Sequence, residues 1–156
     1  MIRPVDFSDT PSVRDIAVDA GLFDAADADF ISAMMTSYFA TGINDDHFCL
    51  VFDEGLPLGV AYAQPALATS GTWYLTMIGV RPAAQSRGVG TELLREVEAE
   101  VGRRFGRLLL VETSGLPSFD ATRSFYERLG YTREATVRDY FEAGDDMVLY
   151  RKELQR

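Results

Sequence analysis

Residues 85–91, Gln-Ser-Arg-Gly-Val-Gly-Thr, bring together groups that can hold a phosphate anion. Gly88 and Gly90 carry no Cβ, so a bulky anion can come close to the backbone. Ser86 adds a hydroxyl and Arg87 a full positive charge. The first N–H groups of a helix lack internal partners and carry the positive end of its dipole, so a helix starting here would complete the site. The spacing reads as a pyrophosphate cradle formed by Gln85, Ser86, Arg87, Gly88, Val89, Gly90 and Thr91, or as a glycine-softened loop that merely starts a helix. Two further residue types invite chemistry. His47 has a ring that can titrate near neutral pH, but Asp45-Asp46-His47 reads as a turn with a solvated histidine. Cys49 reads as a small buried hydrophobe rather than a nucleophile.

The elements around the glycines can be read from periodicity. Trp73 to Val80 is a short apolar run rich in β-branched and aromatic residues, which predicts a strand. Val89, Leu93, Val97 and Val101 recur every four residues with charges between them, which predicts an amphipathic helix. Upstream, an edge strand is expected near Met1–Val5. A helix capped by Asp9 or Thr10 is expected to end at Gly21, and a second helix to follow Asp24 and Asp27. In that second helix Phe30, Met34 and Tyr38 are expected to line one face, with Ile31 and Met35 widening the stripe, and that face reads as core or as the wall of a substrate pocket. Residues 48–52 and 58–64 read as a hairpin around Asp53-Glu54-Gly55. Arg107–Val111 reads as a strand buried on both faces. A helix from Pro117 to Gly130 and a last strand pair, 132–141 and 146–153, follow. The predicted order is β-α-α-β-β-β-α-β-α-β-β, an α/β chain with a mixed β-sheet flanked by helices.

At 156 residues the simplest reading is a single domain over 1–156. Hydrophobic content of 47% and charged content of 25% are ordinary for globular proteins. No apolar run approaches a membrane span, and MIRPVDFSDT lacks the features of a signal peptide, so a cytoplasmic location is expected. A single cysteine excludes an internal disulfide and a metal cluster of cysteines, and no metal is expected. The net charge of −9 argues against a nucleic-acid partner. Residues 1–65 hold eleven acids and two bases, so all the net charge lies there.

Two blocks carry a family resemblance. Gln85-Ser86-Arg87-Gly88-Val89-Gly90, preceded by Val80-Arg81-Pro82, resembles the Q/R-x-x-G-x-G/A acyl-CoA motif of the GNAT superfamily of N-acyltransferases. Phe125-Tyr126-Glu127-Arg128-Leu129-Gly130-Tyr131 resembles the family's FYE-x-x-GF segment, with Tyr131 where Phe is commoner. The resemblance implies a GNAT-like fold and transfer of an acetyl group from acetyl-CoA to a primary amine. It implies that strands 73–80 and 107–112 splay apart. The backbone of Ile78 and Val80 would then hold the pantetheine, and an N–H near Met77–Gly79 would polarise the thioester carbonyl. It implies Tyr126 as the acid that protonates the departing thiolate; the plain alternative is a core tyrosine beside Phe125.

The family supplies no fixed base. Glu112 is the candidate, because it ends an apolar strand at the splay, where partial burial would tune it for proton transfer. A strand-end carboxylate paired to Arg123 is the other reading. Asp24, Asp27 and Asp29 suggest a cationic acceptor, unless they are simply a solvated face. Two other functions stay open: an inactive acyl-CoA sensor on the same fold, and a Rossmann-type nucleotide-binding protein. Against the latter, Leu93 stands where a third glycine belongs, and seven residues separate strand from glycine. Monomer and homodimer both remain open.

Overall fold

The computed structural model describes residues 1–155. Its strands and helices follow the predicted order: β1 (Ile2–Pro4), α1 (Thr10–Asp19), α2 (Ala28–Ser37), β2 (Phe48–Asp53), β3 (Pro57–Pro65), β4 (Thr72–Val80), α3 (Val89–Arg103), β5 (Leu108–Ser114), α4 (Asp120–Arg128), β6 (Thr132–Glu142) and β7 (Asp145–Glu153). The strands form one sheet in the order β1-β2-β3-β4-β5-β7-β6. Among the described residues only β4 and β5 pair in parallel; every other pairing is antiparallel. A doubly wound nucleotide-binding sheet is parallel throughout its centre, so the Rossmann reading is overturned.

Strand alternation sends neighbouring residues to opposite faces, and each face has its own core. In β2, Cys49 and Val51 pack under α1 and α2 with Val13, Ile16, Ile31 and Met35. Phe48, Leu50 and Phe52 pack instead under α3, with Leu93, Leu94, Val97 and Val101. Full burial of such side chains contributes about 1.5–3 kcal/mol each before entropy is set against it. Helix α3 lies directly on the sheet at Gly59, where an added Cβ would sit 2.8 Å from Leu93 Cδ1.

Three local expectations change. Phe30 is 59% exposed, and the buried face of α2 is Ile31, Met35 and Tyr38, with Met34 half-buried. A period of four drifts around a helix with 3.6 residues per turn, so Phe30 leaves the stripe that its neighbours hold. Asp9 holds the N-cap position of α1 but makes no side-chain bond to that helix; its carboxylate accepts from Arg3, at 2.8 and 2.9 Å, and from the Asp6 N–H at 2.7 Å, closing a capping box with Asp6 on the preceding turn. Those bonds hold the Asp9 carboxyl below its usual range. In β5, Leu108 and Leu110 are only half-buried.

The feature that positions the site is a break between β4 and β5. Their register runs from Thr72 opposite Leu108 to Leu75 opposite Val111 and then stops. On its other side β4 slips against β3. Leu75 faces Ala63 and Met77 faces Tyr62, so Thr76 is an extra residue, and such a bulge bends its strand. Beyond it β4 leans away, while β5 stays paired with β7 as far as Ser114 opposite Met147.

Candidate active site

The gap between the two strands opens into a cleft of about 660 Å³. Its floor is the free edge of β4. The Arg81 N–H donates to Leu58 O at 2.8 Å, towards β3. Alternation along the strand then turns the backbone groups of Val80 and Ile78 the other way, into the gap. Val80 O is taken by the Gln85 carboxamide, which donates at 3.0 Å. The Val80 N–H and both backbone groups of Ile78 are left facing the cleft with no strand opposite.

One end of the cleft is the start of α3. Gly88 is the N-cap residue, with φ of 86°, a left-handed conformation that suits glycine. Ser86 also lies at positive φ, 63°. The first intrahelical bond is Glu92 N–H to Gly88 O, 3.0 Å. The N–H groups of Val89, Gly90 and Thr91 therefore have no partner within the helix and point out at its positive end. Gly90 faces α4: a Cβ there would lie 3.5 Å from Phe125 Cζ and 3.7 Å from Val80 Cγ2. Backbone donors, a helix terminus and open space above Gly88 together suit a pyrophosphate.

At the middle, α4 presents Tyr126. The helix is fixed by Arg123, a buried guanidinium that donates to Ser114 O at 2.6 Å and Leu116 O at 3.0 Å and pairs with Asp120. It is therefore bound to the end of β5 and is not free for Glu112. The Tyr126 ring packs against Phe125, Tyr131 and Tyr150, and the residue is only 3% exposed. Tyr131 and Tyr150 give their hydroxyls to Glu98 and Glu127, at 2.9 and 2.8 Å. The Tyr126 hydroxyl has no such partner among the described residues, and the residue lines the cleft. Burial pushes its phenol above its usual value, so it stays protonated through neutral pH.

Glu112 lies across the gap on β5. It is exposed rather than half-buried, because β4 has already left its side when the strand reaches it. Its Oε2 accepts a long bond, 3.4 Å, from the Tyr140 hydroxyl. Tyr140 and its neighbour Phe141 belong to a stretch of β6, 138–141, that bulges away from β7 with Asp139 at positive φ. Phe141 reaches the cleft, as do Leu22 and Phe23 from the α1–α2 connection and Asp145 from β7. Asp145 accepts a hydrogen bond from Ser114 Oγ at 2.5 Å.

Ile78, Val80, Gln85, Ser86, Gly88, Val89, Gly90, Thr91, Glu112 and Tyr126 thus all line one cleft. Arg87 does not; its guanidinium turns to Glu54, at 2.9 and 3.0 Å, in an exposed pair. Asp24, Asp27 and Asp29 are exposed and do not line it either; Asp29 lies 3.7 Å from Arg14. The carboxylates in the cleft are Glu112 and Asp145. His47 is half-buried rather than solvated, with Nδ1 2.7 Å from the Tyr62 hydroxyl, because Gly42 leaves room for both rings. Cys49 is fully buried, and desolvation pushes its thiol up, consistent with a packing role. Phe141, Asp145, Leu22 and Phe23 escaped sequence reading: each stands in or beside a turn whose path periodicity does not give. Among the described residues no cluster of His, Cys, Asp and Glu could hold a metal. None of their helices is long and apolar enough to cross a membrane.

Comparison with known proteins bears on this geometry. The family model for the acetyltransferase (GNAT) domain matches residues 44–133. A GNAT-family acetyltransferase from Desulfovibrio desulfuricans superposes with a TM-score of 0.92 at 34% identity, over 99% of each chain. An acetyltransferase from Salmonella typhimurium, solved with acetyl-CoA, gives a TM-score of 0.78 at 22% identity, over 100% of this chain and 94% of the other. The ribosomal-protein-S18-alanine N-acetyltransferase from Escherichia coli gives 0.78 at 21% identity, again over 100% and 94%. At those two identities the likeness is one of fold alone. No curated protein matches the sequence.

Proposed function

The chain belongs to the GNAT acetyltransferase family, and from that premise we propose that it transfers an acetyl group from acetyl-CoA to a primary amine of a small molecule or peptide. The observation that carries the proposal is the cleft itself. A broken β4–β5 seam, the open N-terminus of α3 and a partnerless tyrosine hydroxyl converge on one space.

Acetyl-CoA supplies the acetyl group as an activated thioester. The N–H groups of Val89, Gly90 and Thr91, with Ser86 beside them, hold its pyrophosphate, and the free backbone of Ile78 and Val80 holds its pantetheine arm. Arg87 adds long-range positive charge, since an exposed pair such as that with Glu54 separates at little cost. Glu112, directly or through water, accepts a proton from the acceptor ammonium, freeing the nitrogen lone pair. The N–C bond forms as the C–S bond breaks. Tyr126 gives its proton to the sulfur and is restored by the second proton that the nitrogen sheds. The acceptor enters between Leu22, Phe23 and Phe141. Glu112 and Asp145 are the charges there, which favours a cationic amine with an apolar body.

Thiol release from acetyl-CoA, measured against a panel of amines, peptides and anionic amino acids, tests this reading. Cationic amines with apolar bodies are expected to be the best acceptors, and Glu112→Gln to lower kcat on them by roughly 100-fold. Tight acetyl-CoA binding with no thiol release on any acceptor would reduce the protein to an acyl-CoA-binding module. A second expectation concerns the cradle. Gly90→Val is expected to raise the KM for acetyl-CoA by about tenfold or more, equivalent to ~1.4 kcal/mol, without lowering Tm. Its Cβ has ordinary room, but its methyl groups must project into the space between Phe125 and Val80. An unchanged KM would show that nothing binds there.

A further inference from the structure

The two edges of the sheet differ. β1 is three residues long and contains Pro4, which suits an edge that pairs no further. β6, at the other edge, is eleven residues long and has neither proline nor lysine. Every one of its residues is exposed, Val137, Tyr140 and Phe141 among them. A long bare edge strand is a template for another strand. The ladder of β6 with β7 is regular over Ala135, Thr136 and Val137, which stand opposite Leu149, Val148 and Met147. Glu134 is an extra residue before this stretch, and 138–141 leave β7 after it.

Charges flank the regular stretch: Arg133 and Glu134 before it, Arg138 and Asp139 after it. Neither Arg133 nor Arg138 makes an ion pair among the described residues, and Glu134 makes a loose one, 3.9 Å from Arg151. Lay a second β6 antiparallel to the first, with Thr136 opposite Thr136. Glu134 of each copy then meets Arg138 of the other, and Arg133 of each meets Asp139 of the other. A slip of one residue sets Arg133 against Arg138 in one direction and Glu134 against Asp139 in the other, like charge against like. A parallel pairing in register sets each charge against its own kind. The acids of residues 1–65 lie with β1, β2, β3, α1 and α2 at the far side of the sheet, so two chains that meet at β6 keep their net negative charge apart.

We propose that the occupant of this edge is a second copy of the chain: two β6 strands pair antiparallel about Thr136 and join two sheets into one across a two-fold axis. The same patch serves on both chains, as such an axis requires. Main-chain bonds along the regular stretch supply affinity, and the flanking charges fix the register. The segment 138–141, which carries Phe141 to the cleft, gains a neighbour, because Thr132 of the second copy falls opposite Tyr140. One strand from each chain makes a small interface, so the dimer dissociates on dilution. None of this depends on the acetyl-transfer reading.

The test is sedimentation velocity of the purified protein over a concentration series, with charge swaps at the flanking positions. The wild type is expected to approach twice the 17.3 kDa of one chain as concentration rises. Glu134→Arg and Arg138→Glu each set like charges opposite one another at two places, and each should weaken association by at least about tenfold. Mixed together, the two single variants regain opposite charges at both places and should form a heterodimer. The double variant Glu134→Arg/Arg138→Glu should dimerise as the wild type does. Thr136→Lys, which sets two ammonium groups against each other at the axis, should be a monomer with an unchanged Tm, which separates lost pairing from lost folding. A wild type that stays monomeric at every concentration overturns the pairing, and so does a dimer that survives Thr136→Lys or either single swap. Single variants that stay apart on mixing overturn the register about Thr136 and with it the pairing.

Discussion

Replacing Tyr126 by Phe is expected to lower kcat by roughly 10²–10⁴-fold, the contribution of a general acid, while the KM for acetyl-CoA and the Tm stay near wild type. The reason lies in what the hydroxyl does not do. The ring fills the core between Phe125, Tyr131 and Tyr150, and phenylalanine keeps that packing. Tyr131 and Tyr150 each use their oxygen on a glutamate, so their Phe variants would remove a hydrogen bond. The Tyr126 oxygen bonds to nothing among the described residues, so its loss leaves no protein group unpaired. An effect confined to the chemical step would identify it as the proton donor. Because desolvation holds the phenol above its ordinary value, the wild-type protein should not lose this acid as pH rises through 8 or 9. A Tyr126→Phe variant within about twofold of wild type would make Tyr126 a packing residue.

The largest effect on stability is expected at Leu93. Leu93→Ala should destabilise the fold by about 3–5 kcal/mol, in the upper part of the range for buried leucines. The side chain is fully buried on the inner face of α3. Opposite it stands Gly59, with nothing beyond its backbone to move into the void, so the site collapses poorly and the cavity persists. Urea unfolding would measure the change through the midpoint at constant slope. A loss below about 1 kcal/mol would mean that α3 can settle onto the sheet. Since α3 carries the cradle at its first turn, a helix that settles would also shift Val89, Gly90 and Thr91 and raise the KM for acetyl-CoA.

The architecture was legible because each element announces itself locally. The four-residue recurrence from Val89 to Val101, the two apolar runs around Asp53-Glu54-Gly55 and the glycines at 21, 88 and 130 mark elements without reference to one another. Gly88 shows this well: the residue type, the helix after it and its φ of 86° all agree. The contents of the acceptor end were not legible. Leu22 and Phe23 come from the α1–α2 connection and Phe141 and Asp145 from the β6–β7 hairpin, and only tertiary packing brings the two parts together. Glu112 was found by type and place, but its exposure depends on where β4 departs, and that follows from a single extra residue at Thr76. Arg87 shows the limit of reading charge from a motif, because the nearest carboxylate on the β2–β3 turn captures it. His47 shows the same limit for a turn: the phenol it meets is fifteen residues away in sequence.

The four residue pairs that join β4 to β5 have a mechanical meaning. The sheet is two plates, β1–β4 and β5–β7, riveted at one end and free at the other. A molecule that bonds to the edge of β4 and lies against β5 closes the free end, as a wedge glued to both faces would. Its binding energy then becomes cohesion between the plates. At a hundred times its dissociation constant such a ligand adds about 2.7 kcal/mol to the stability of the whole. The working protein, in a compartment rich in that ligand, is on this account a stiffer body than the empty one.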